Sequence, residues 1–384
     1  MLWQTKKLGD LVDEGLVQLT RGKVISKKDI STHPGTYPIY SSAKDNDGMF
    51  GRYGKFLFDE PLITWSVDGG GRLFYRPKHK FSVTNIGGIL RILKPKLLDY
   101  KYLYYVLSLK HSEIRFDWVR KAHPSIIREL YKGIPMLSLS KQKSIVKKLD
   151  SAFDKVKAGK ENAEKNLQNS KELFESYLQS VFTNLGKDWE EKKIKEIGVT
   201  QTGITPKTAN KKYYGNFVPF ITPADVDISG DGSVRYDNKG LSEEGLEVGR
   251  KIEKDSVLMV CIGATIGKVG FSTQVVSCNQ QINTLTPFDG YDAKLFYYIL
   301  STKSFFNKVI KASSQATLPI INKGKWENLS VSFPKSISEQ KAIVKKLDTL
   351  SVETKKLEKI YEQKLADFDE LKKSVLSKAF HAEL

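Results

Sequence analysis

Residues Ser140–Asp150 read SKQKSIVKKLD, and 198 residues later Ser338–Asp348 read SEQKAIVKKLD, with nine of eleven positions unchanged. Repetition of this kind decides the architecture before any single residue does. At the same offset Glu172 falls on Glu370, Leu173 on Leu371, Ser176 on Ser374, Leu178 on Leu376 and Phe182 on Phe380. A constant offset leaves no room for an insertion in either copy, and in a helix one extra residue would turn everything beyond it by about 100°.

The apolar spacing of both copies is helical. Ile145, Leu149, Val156, Gly159, Ala163 and Leu167 recur at steps of three, four or seven in the first, and Ile343, Leu347, Leu357, Tyr361 and Leu365 recur in the second. The stripe is a heptad seam with Lys and Glu outside it, too narrow to be buried by one helix alone. The two helices, each roughly 60 Å long, are therefore expected to pack on each other, and the antiparallel sense is what the family resemblance named below implies. Centring the stripes sets Ala163 against Tyr361, Gly159 near Leu365 and Leu167 near Leu357. The alternative is a helix break at Gly159, because a mid-helix glycine costs about 1 kcal/mol.

A second repeat precedes each helix. Lys101–Lys110, KYLYYVLSLK, matches Lys294–Lys303, KLFYYILSTK, and Trp3 and Trp189 open segments of similar size. The chain therefore divides into a globular segment over 1–138, a helix over 139–185, a globular segment over 186–336 and a helix over 337–384. Short strands are expected at Phe56–Ser66, Arg72–Tyr75 and Gly88–Leu93, and again at Val257–Ile262, Lys268–Phe271 and Gln281–Leu285, with Gly/Asp/Asn clusters between them. The fold class is α+β: two globular α/β domains and two long helices forming an antiparallel coiled coil, with pseudo-two-fold internal repetition.

The net charge of +18 is spread unevenly. Residues 1–138 carry 23 basic against 13 acidic side chains, and residues 186–336 carry 20 against 16. A basic surface with 17 Tyr and 19 Phe suits a polyanion. No apolar run approaches the roughly 18 residues that span a bilayer. The two cysteines, Cys261 and Cys278, read as free thiols, and a cytoplasmic location is expected. Catalytic motifs are missing. Gly263–Lys268 has three residues between its glycines and Val269 after the lysine, unlike a phosphate loop. Asp225–Gly230 begins like a calcium loop but has Tyr236 where a bidentate Glu belongs. Asp68–Gly71 lacks the setting of a dinucleotide site. The five histidines have no metal-ligand spacing. No Asn-Pro-Pro-aromatic methyltransferase motif occurs.

With these motifs together, the whole chain resembles the specificity subunit of type I restriction–modification systems. The resemblance is carried by the two helix starts and by Gly203–Lys207, Val218–Asp225, Ile262–Lys268, Cys278–Asn283 and Ser313–Thr317 in the second half. In the first half it is carried by Leu19–Lys23, Tyr37–Tyr40 and Thr64–Gly69. The pattern departs at Lys141, where the family usually has the Glu found at Glu339. The resemblance implies two target recognition domains, each reading half of a split double-stranded DNA sequence. It also implies helices that set the spacer and dock two methyltransferase subunits, with restriction/translocase subunits joining them. S-adenosylmethionine, ATP and Mg would belong to those partners, with no cofactor or metal in this chain and no catalysis by it. The alternatives are a stand-alone DNA methyltransferase or nuclease, and a coiled-coil scaffold without DNA contact.

Base reading needs Arg or Lys for guanine, Asn or Gln for adenine, and small polar groups on loops. The first domain offers Arg21, Ser41, Ser42, Lys44, Arg52, Lys55, Trp65, Asp68, Arg72, Arg120 and His123. The second offers Thr202, Thr205, Lys207, Thr222, Asp225, Lys268, Gln280, Gln281, Ser314 and Gln315.

Overall fold

In the computed structural model, residues 3–42, 46–68, 70–114, 121–184, 186–227, 230–314 and 318–380 are described. The chain divides into two compact units, Met1–Ala163 with Gln363–Leu384, and Glu164–Glu362. Each unit thus combines one globular segment with a portion of both long helices.

In the first unit the strands are β1 (Val17–Arg21), β2 (Tyr37–Tyr40), β3 (Met49–Tyr53), β4 (Leu62–Ser66), β5 (Leu73–Arg76), β6 (Lys80–Val83) and β7 (Gly87–Ile92). They are followed by α1 (Tyr100–His111), α2 (Pro124–Leu130) and the long α3 (Leu139–Thr183). An antiparallel sheet runs β1-β7-β4-β5, while β2 pairs antiparallel with β3 and parallel with β6. All five residues of β4 are buried because the sheet is covered on both faces. Ile63 and Trp65 pack with Tyr102, Leu103 and Val106 of α1, whereas Leu62 packs with Phe81 and Val83 of β6. The strand expected over Phe56–Ser66 is broken: Phe58–Asp59 pairs with β6, and β4 starts only after Pro61, which has no N–H to give a ladder.

The second unit repeats the plan with β8 (Gly198–Thr202), β9 (Tyr214–Ile221), β10 (Ser256–Val260), β11 (Val269–Ser272), β12 (Ser277–Cys278) and β13 (Ile282–Pro287). Then come α4 (Ala293–Leu300) and the long α5 (Ile337–Phe380). The sheet order β8-β13-β10-β11 and the parallel pair β9/β12 reproduce the first unit strand for strand. Val257, Met259 and Leu285 pack with Leu295, Phe296 and Ile299 of α4; Leu258, Val260 and Ile282 pack with Ile221, Val226 and Cys278.

The repeated letters are spent inward. Gln142 is fully buried: its Oε1 accepts from the Asp99 N–H (2.8 Å), and its Nε2 donates to the carbonyls of Leu97 (2.9 Å) and Leu137 (2.8 Å). Gln340, equally buried, accepts from the Asp292 N–H (2.9 Å) and donates to the Pro334 carbonyl (2.8 Å). Asp99 and Asp292 are themselves the N-caps of α1 and α4. Two turns on, Asp150 accepts from Lys101 Nζ (2.6 Å) and the Tyr105 hydroxyl (2.5 Å). Asp348 accepts likewise from Lys294 Nζ (2.8 Å) and the Tyr298 hydroxyl. The SxQK…LD and KxxYY repeats are therefore two halves of one polar clamp. At the family departure, Lys141 Nζ stands 5.7 Å over the Trp3 ring, while Glu339 accepts from Trp189 Nε1 at 3.3 Å. Different chemistry serves the same anchorage.

The start of α3 packs on the end of α5 in the first unit: Ile145, Leu149 and Phe153 meet Val375, Leu376 and Ala379. In the second unit Phe174, Tyr177 and Leu178 share a core with Ile343, Val344 and Leu347. Start meets end, so the helices run antiparallel. No break occurs at Gly159, which lies inside α3. Its partner differs from expectation. A Cβ there would fall 2.4 Å from the Phe368 ring, not against Leu365, and Lys160 pairs with Asp369 at 2.6 Å. The seam at this point is thus displaced by about one turn, because the bulkier Phe368 takes the gap that only glycine leaves. Leu149, Val156, Ala163 and Leu347 are buried, and Ile145, Leu167, Ile343, Tyr361 and Leu365 are half-buried. Leu357 is instead 39 % exposed, the inward place nearby being held by Thr354, whose hydroxyl bonds back to Leu350 O at 2.9 Å.

Removing the clamp's amide leaves three backbone groups buried without partners, at about 1 to 3 kcal/mol each. Gln142→Leu is expected to destabilise the chain by about 3 kcal/mol in denaturant unfolding, and a loss under about 0.5 kcal/mol would show that the clamp is idle.

Candidate nucleic-acid interface

Strand register gathers most of the candidate residues at one end of each sheet. In the first unit Ser66 lies opposite Gly87, Gly88 opposite Arg21, and the Ser66 N–H donates to Arg72 O (3.3 Å). Arg21, Asp68, Arg72 and the Thr84–Ile86 turn therefore share one rim. Ser41 and Ser42 join it directly after β2, the first accepting from the Thr84 hydroxyl (2.8 Å), the second donating to Ile86 O (2.9 Å). His123 follows, since the Ala122 N–H donates to Val67 O (2.9 Å).

The second unit builds the same rim. Thr202 lies opposite Asn283, Val260 opposite Ile282, and Ile320 bridges both Ile262 and Ser314. Thr222 follows β9, and Gln280 and Gln281 lie between β12 and β13. In both units a glycine makes the close crossing possible. A Cβ on Gly22 would lie 2.1 Å from Val83 O, and one on Gly203 would lie 2.2 Å from Cys278 O.

The rim's side chains are partly committed. Arg21 Nε donates to Asn85 O (2.7 Å), Asp68 pairs with Lys121 (3.0 Å), and Arg72 stacks 5.2 Å over Phe74. His123 Nδ1 caps α2 through the Ser125 N–H (3.4 Å). Thr202 donates to Asn283 Oδ1 (2.7 Å), and Thr205 to Gln280 Oε1 (2.5 Å), which leaves the exposed Gln280 amide N–H groups without an acceptor among the described residues. Gln281 accepts from Asn279 Nδ2 (3.0 Å), and Ser314 donates to Ile320 O (3.3 Å). Lys207 is exposed and Lys268 half-buried in its turn. Arg52 and Lys55 stand elsewhere: Arg52 lies opposite Pro38 and donates to Thr36 O (2.9 Å), roughly 10 Å along β2 from the rim. Lys44, Arg120 and Gln315 lie outside the described residues.

Two candidates are corrected. Trp65 is 2 % exposed, its Nε1 donates to Ala122 O (2.7 Å), and its ring fills the space above Gly88. It supports the rim from the core and is not available to a base. Asp225 is fully buried and accepts from Thr222 Oγ1 (2.6 Å), Arg235 Nη2 (2.6 Å) and Asn238 Nδ2 (2.8 Å). Every lone-pair direction is used within the protein. Burial raises its pKa, but these donors outweigh burial and hold the carboxyl below the usual carboxylate range. The residue that sequence reasoning missed is Arg76, 5 % exposed at the end of β5. Phe74 is its neighbour on the same face of β5, but Tyr40 reaches it only through the fold, and a local reading does not mark an arginine as buried.

A second surface lies on the helices of the second unit. Leu173, Tyr177, Ala342 and Leu350 line an apolar groove of about 590 Å³ beside Lys345 and Lys346. Lys341, Lys345 and Lys346 are exposed, as are Lys143, Lys147 and Lys148 at the 198-residue offset in the first unit. Among the described residues no cluster of His, Cys, Asp and Glu could hold a metal, and no helix is long and apolar enough to cross a membrane.

A family model described as the type I restriction modification DNA specificity domain matches residues 2–167 and 186–365. The chain belongs to that family. Among curated members it is similar to the type I restriction enzyme MjaIX specificity subunit of Methanocaldococcus jannaschii, 27% identical over 187 residues, or 47% of this chain and 43% of that one. The chain spans about half the length of the curated relatives it matches. The HsdS subunit from Thermoanaerobacter tengcongensis shares the fold with a TM-score of 0.61 at 16% identity, covering 100% of this chain and 97% of that one. A chain from a structural study of complex assembly and conformational transition of the type I R-M system gives 0.74 at 16% identity, covering 100% and 98%. As a specificity-domain chain, the protein carries two copies of the family's fold unit, in agreement with the repeat.

Because the folded-state pKa of Asp225 is depressed, its contribution to stability is present above about pH 4 and lost as pH falls through the folded-state value. Asp225→Asn is expected to cost about 2 kcal/mol at pH 7, the scale of hydrogen bonds to a charged acceptor, since Arg235 is 40 % exposed and stays solvated. It should also flatten the acid limb of the denaturant-measured pH profile.

Proposed function

We propose that the protein is the non-catalytic DNA-reading subunit of a type I restriction–modification complex, each unit reading one half of a split double-stranded target. The observation that carries this is the repeated rim. Two sheets of identical strand order bring hydroxyls, amides and cations to the same end, on a chain of the DNA specificity family. Phosphate contacts by the basic surface supply affinity, and rim side chains supply discrimination.

The exposed lysines repeated at the two helix starts, with the apolar groove beside one of them, suit docking of two similar methyltransferase subunits. Restriction/translocase subunits would join through those. S-adenosylmethionine, ATP and Mg belong to the partners, and the complex works on DNA in the cytoplasm. The chain's own residues bind and orient; they move no proton and break no bond.

Replacing residues 186–336 by the corresponding domain of another family member is expected to change one half of the recognised sequence and leave the other half intact, as read by methylation mapping of the assembled complex. Changes in both halves, or methylation by the isolated chain, would contradict the reading. Affinity for target duplex is expected to fall roughly a thousandfold between about 50 and about 200 mM salt; a flat profile would remove the phosphate contacts from the account.

A further inference from the structure

Arg76 lies opposite Leu62, at the end of β5 away from the rim of the first unit, and its side chain reaches back toward the rim. Its guanidinium is 3.5 Å from the centre of the Tyr40 ring and 4.6 Å from that of Phe74. Nε donates to the buried Thr64 hydroxyl (3.0 Å), and Nη2 donates to the carbonyl of Asp47 (2.5 Å). The flat, forked cation thus joins sheet to loop, a geometry that a lysine ammonium cannot reproduce.

What it holds is strained. Asn46, Asp47 and Gly48 have φ of 49°, 51° and 76°, a run of left-handed backbone that persists only where the surroundings over-determine it. A Cβ on Gly48 would come within 3.4 Å of Arg76 Nη2, of the Phe74 ring and of Ser41 O, so the turn lies directly on the guanidinium. The Ser41 N–H donates to Gly48 O (2.9 Å), which ties this turn to the first rim serine. Burial lowers the arginine's pKa to about 10, still well above neutrality, so the charge remains. The second unit supports the equivalent place, the segment after β9, with the opposite ion, the buried Asp225 and its donors.

We propose that Arg76 is a positioning residue for sequence reading by the first unit: it fixes the Asn46–Gly48 turn, and through it the Ser41 and Ser42 hydroxyls, at the DNA-facing rim. The proposal rests on the reading of the rim as a DNA interface. It adds that discrimination in one half-site depends on a side chain that touches no DNA.

The test uses the purified full chain on a library of randomised duplexes, with base preference scored separately in each half of the target. Arg76→Met is expected to reduce preference in the half read by the first unit by about 10-fold, the scale of one lost base contact. The other half, and affinity for non-target duplex, should change less than about twofold, within the spread of surface substitutions. Leu11→Ala, in the core of the same unit, is the control for mere destabilisation and is expected to keep both profiles. If Arg76→Met does not fold, Arg76→Lys carries the same expectation, since it keeps the charge but loses the fork. Unchanged preference in the first half, equal loss in both halves, or the same loss in Leu11→Ala would overturn the proposal alone. A wild-type chain with no two-part preference would overturn the DNA reading beneath it.

Discussion

A buried glutamine amide, used twice, is the contact on which the rest of this structure depends. Gln142 and Gln340 each bond the N-cap backbone of a helix of a globular segment, α1 and α4, and each sits in the first turn of a long helix. An amide in such a place is costly unless every polar atom is met, and here nearly rigid backbone groups meet it. Asp150 and Asp348 repeat the grip two turns later through a lysine and a tyrosine. Two grips separated along one helix fix rotation as well as position. Each sheet, and so each rim, is thereby held in a set relation to the helix that bears it.

The same logic recurs one layer up. Both rims depend on backbone segments that leave the small sheet after β2 and β9, next to the close approaches that Gly22 and Gly203 allow between the ends of the two sheets. Such segments cannot be held by apolar packing alone, because their carbonyls and amides need partners. The two units solve this with opposite charges, a stacked arginine in one and a bonded carboxylate in the other. Strand order is common to both, whereas the polar support beneath the rim differs. A fold that must present different chemistry from one frame would differ at this level.

Much of the architecture was legible because it is periodic. The 198-residue offset, the heptad stripes and the alternating globular and helical order are properties of spacing, and they survive without knowledge of contacts. What spacing could not show was the direction in which polar letters face. The repeated Gln turn inward and the repeated Asp, half-buried, bond a lysine and a tyrosine of their own unit, while the repeated lysines beside them face out. Trp65 and Asp225 looked like contact residues and proved to be supports, while Arg76 passed unnoticed. For Trp65 and Arg76 the partners Ala122 and Tyr40 are far away in sequence, whereas Asp225 is enclosed by Thr222, Arg235 and Asn238 of its own neighbourhood, which only the folded turn brings together. The seam at Gly159 went astray for a related reason: centring the stripes assumes equal side-chain volumes, and a Phe opposite a Gly shifts the best fit by a turn. Residue type picks out hydroxyls, amides and cations as groups chemically able to meet base edges, and the sheet order brings most of those picked to one end of each sheet.

Hydrogen exchange of the full chain, free and bound to a duplex carrying its target, separates contact by the rims from contact by the long helices. Slowed exchange is expected at the rims, around Gly22–Lys23, Ser41–Ser42 and Ile86–Gly88 in the first unit and Gly203–Thr205 and Asn279–Ile282 in the second, with α3 and α5 unchanged between Lys155 and Lys171 and between Lys355 and Lys372. Protection concentrated on those helical stretches, or confined to one unit with a complete target present, would contradict that expectation.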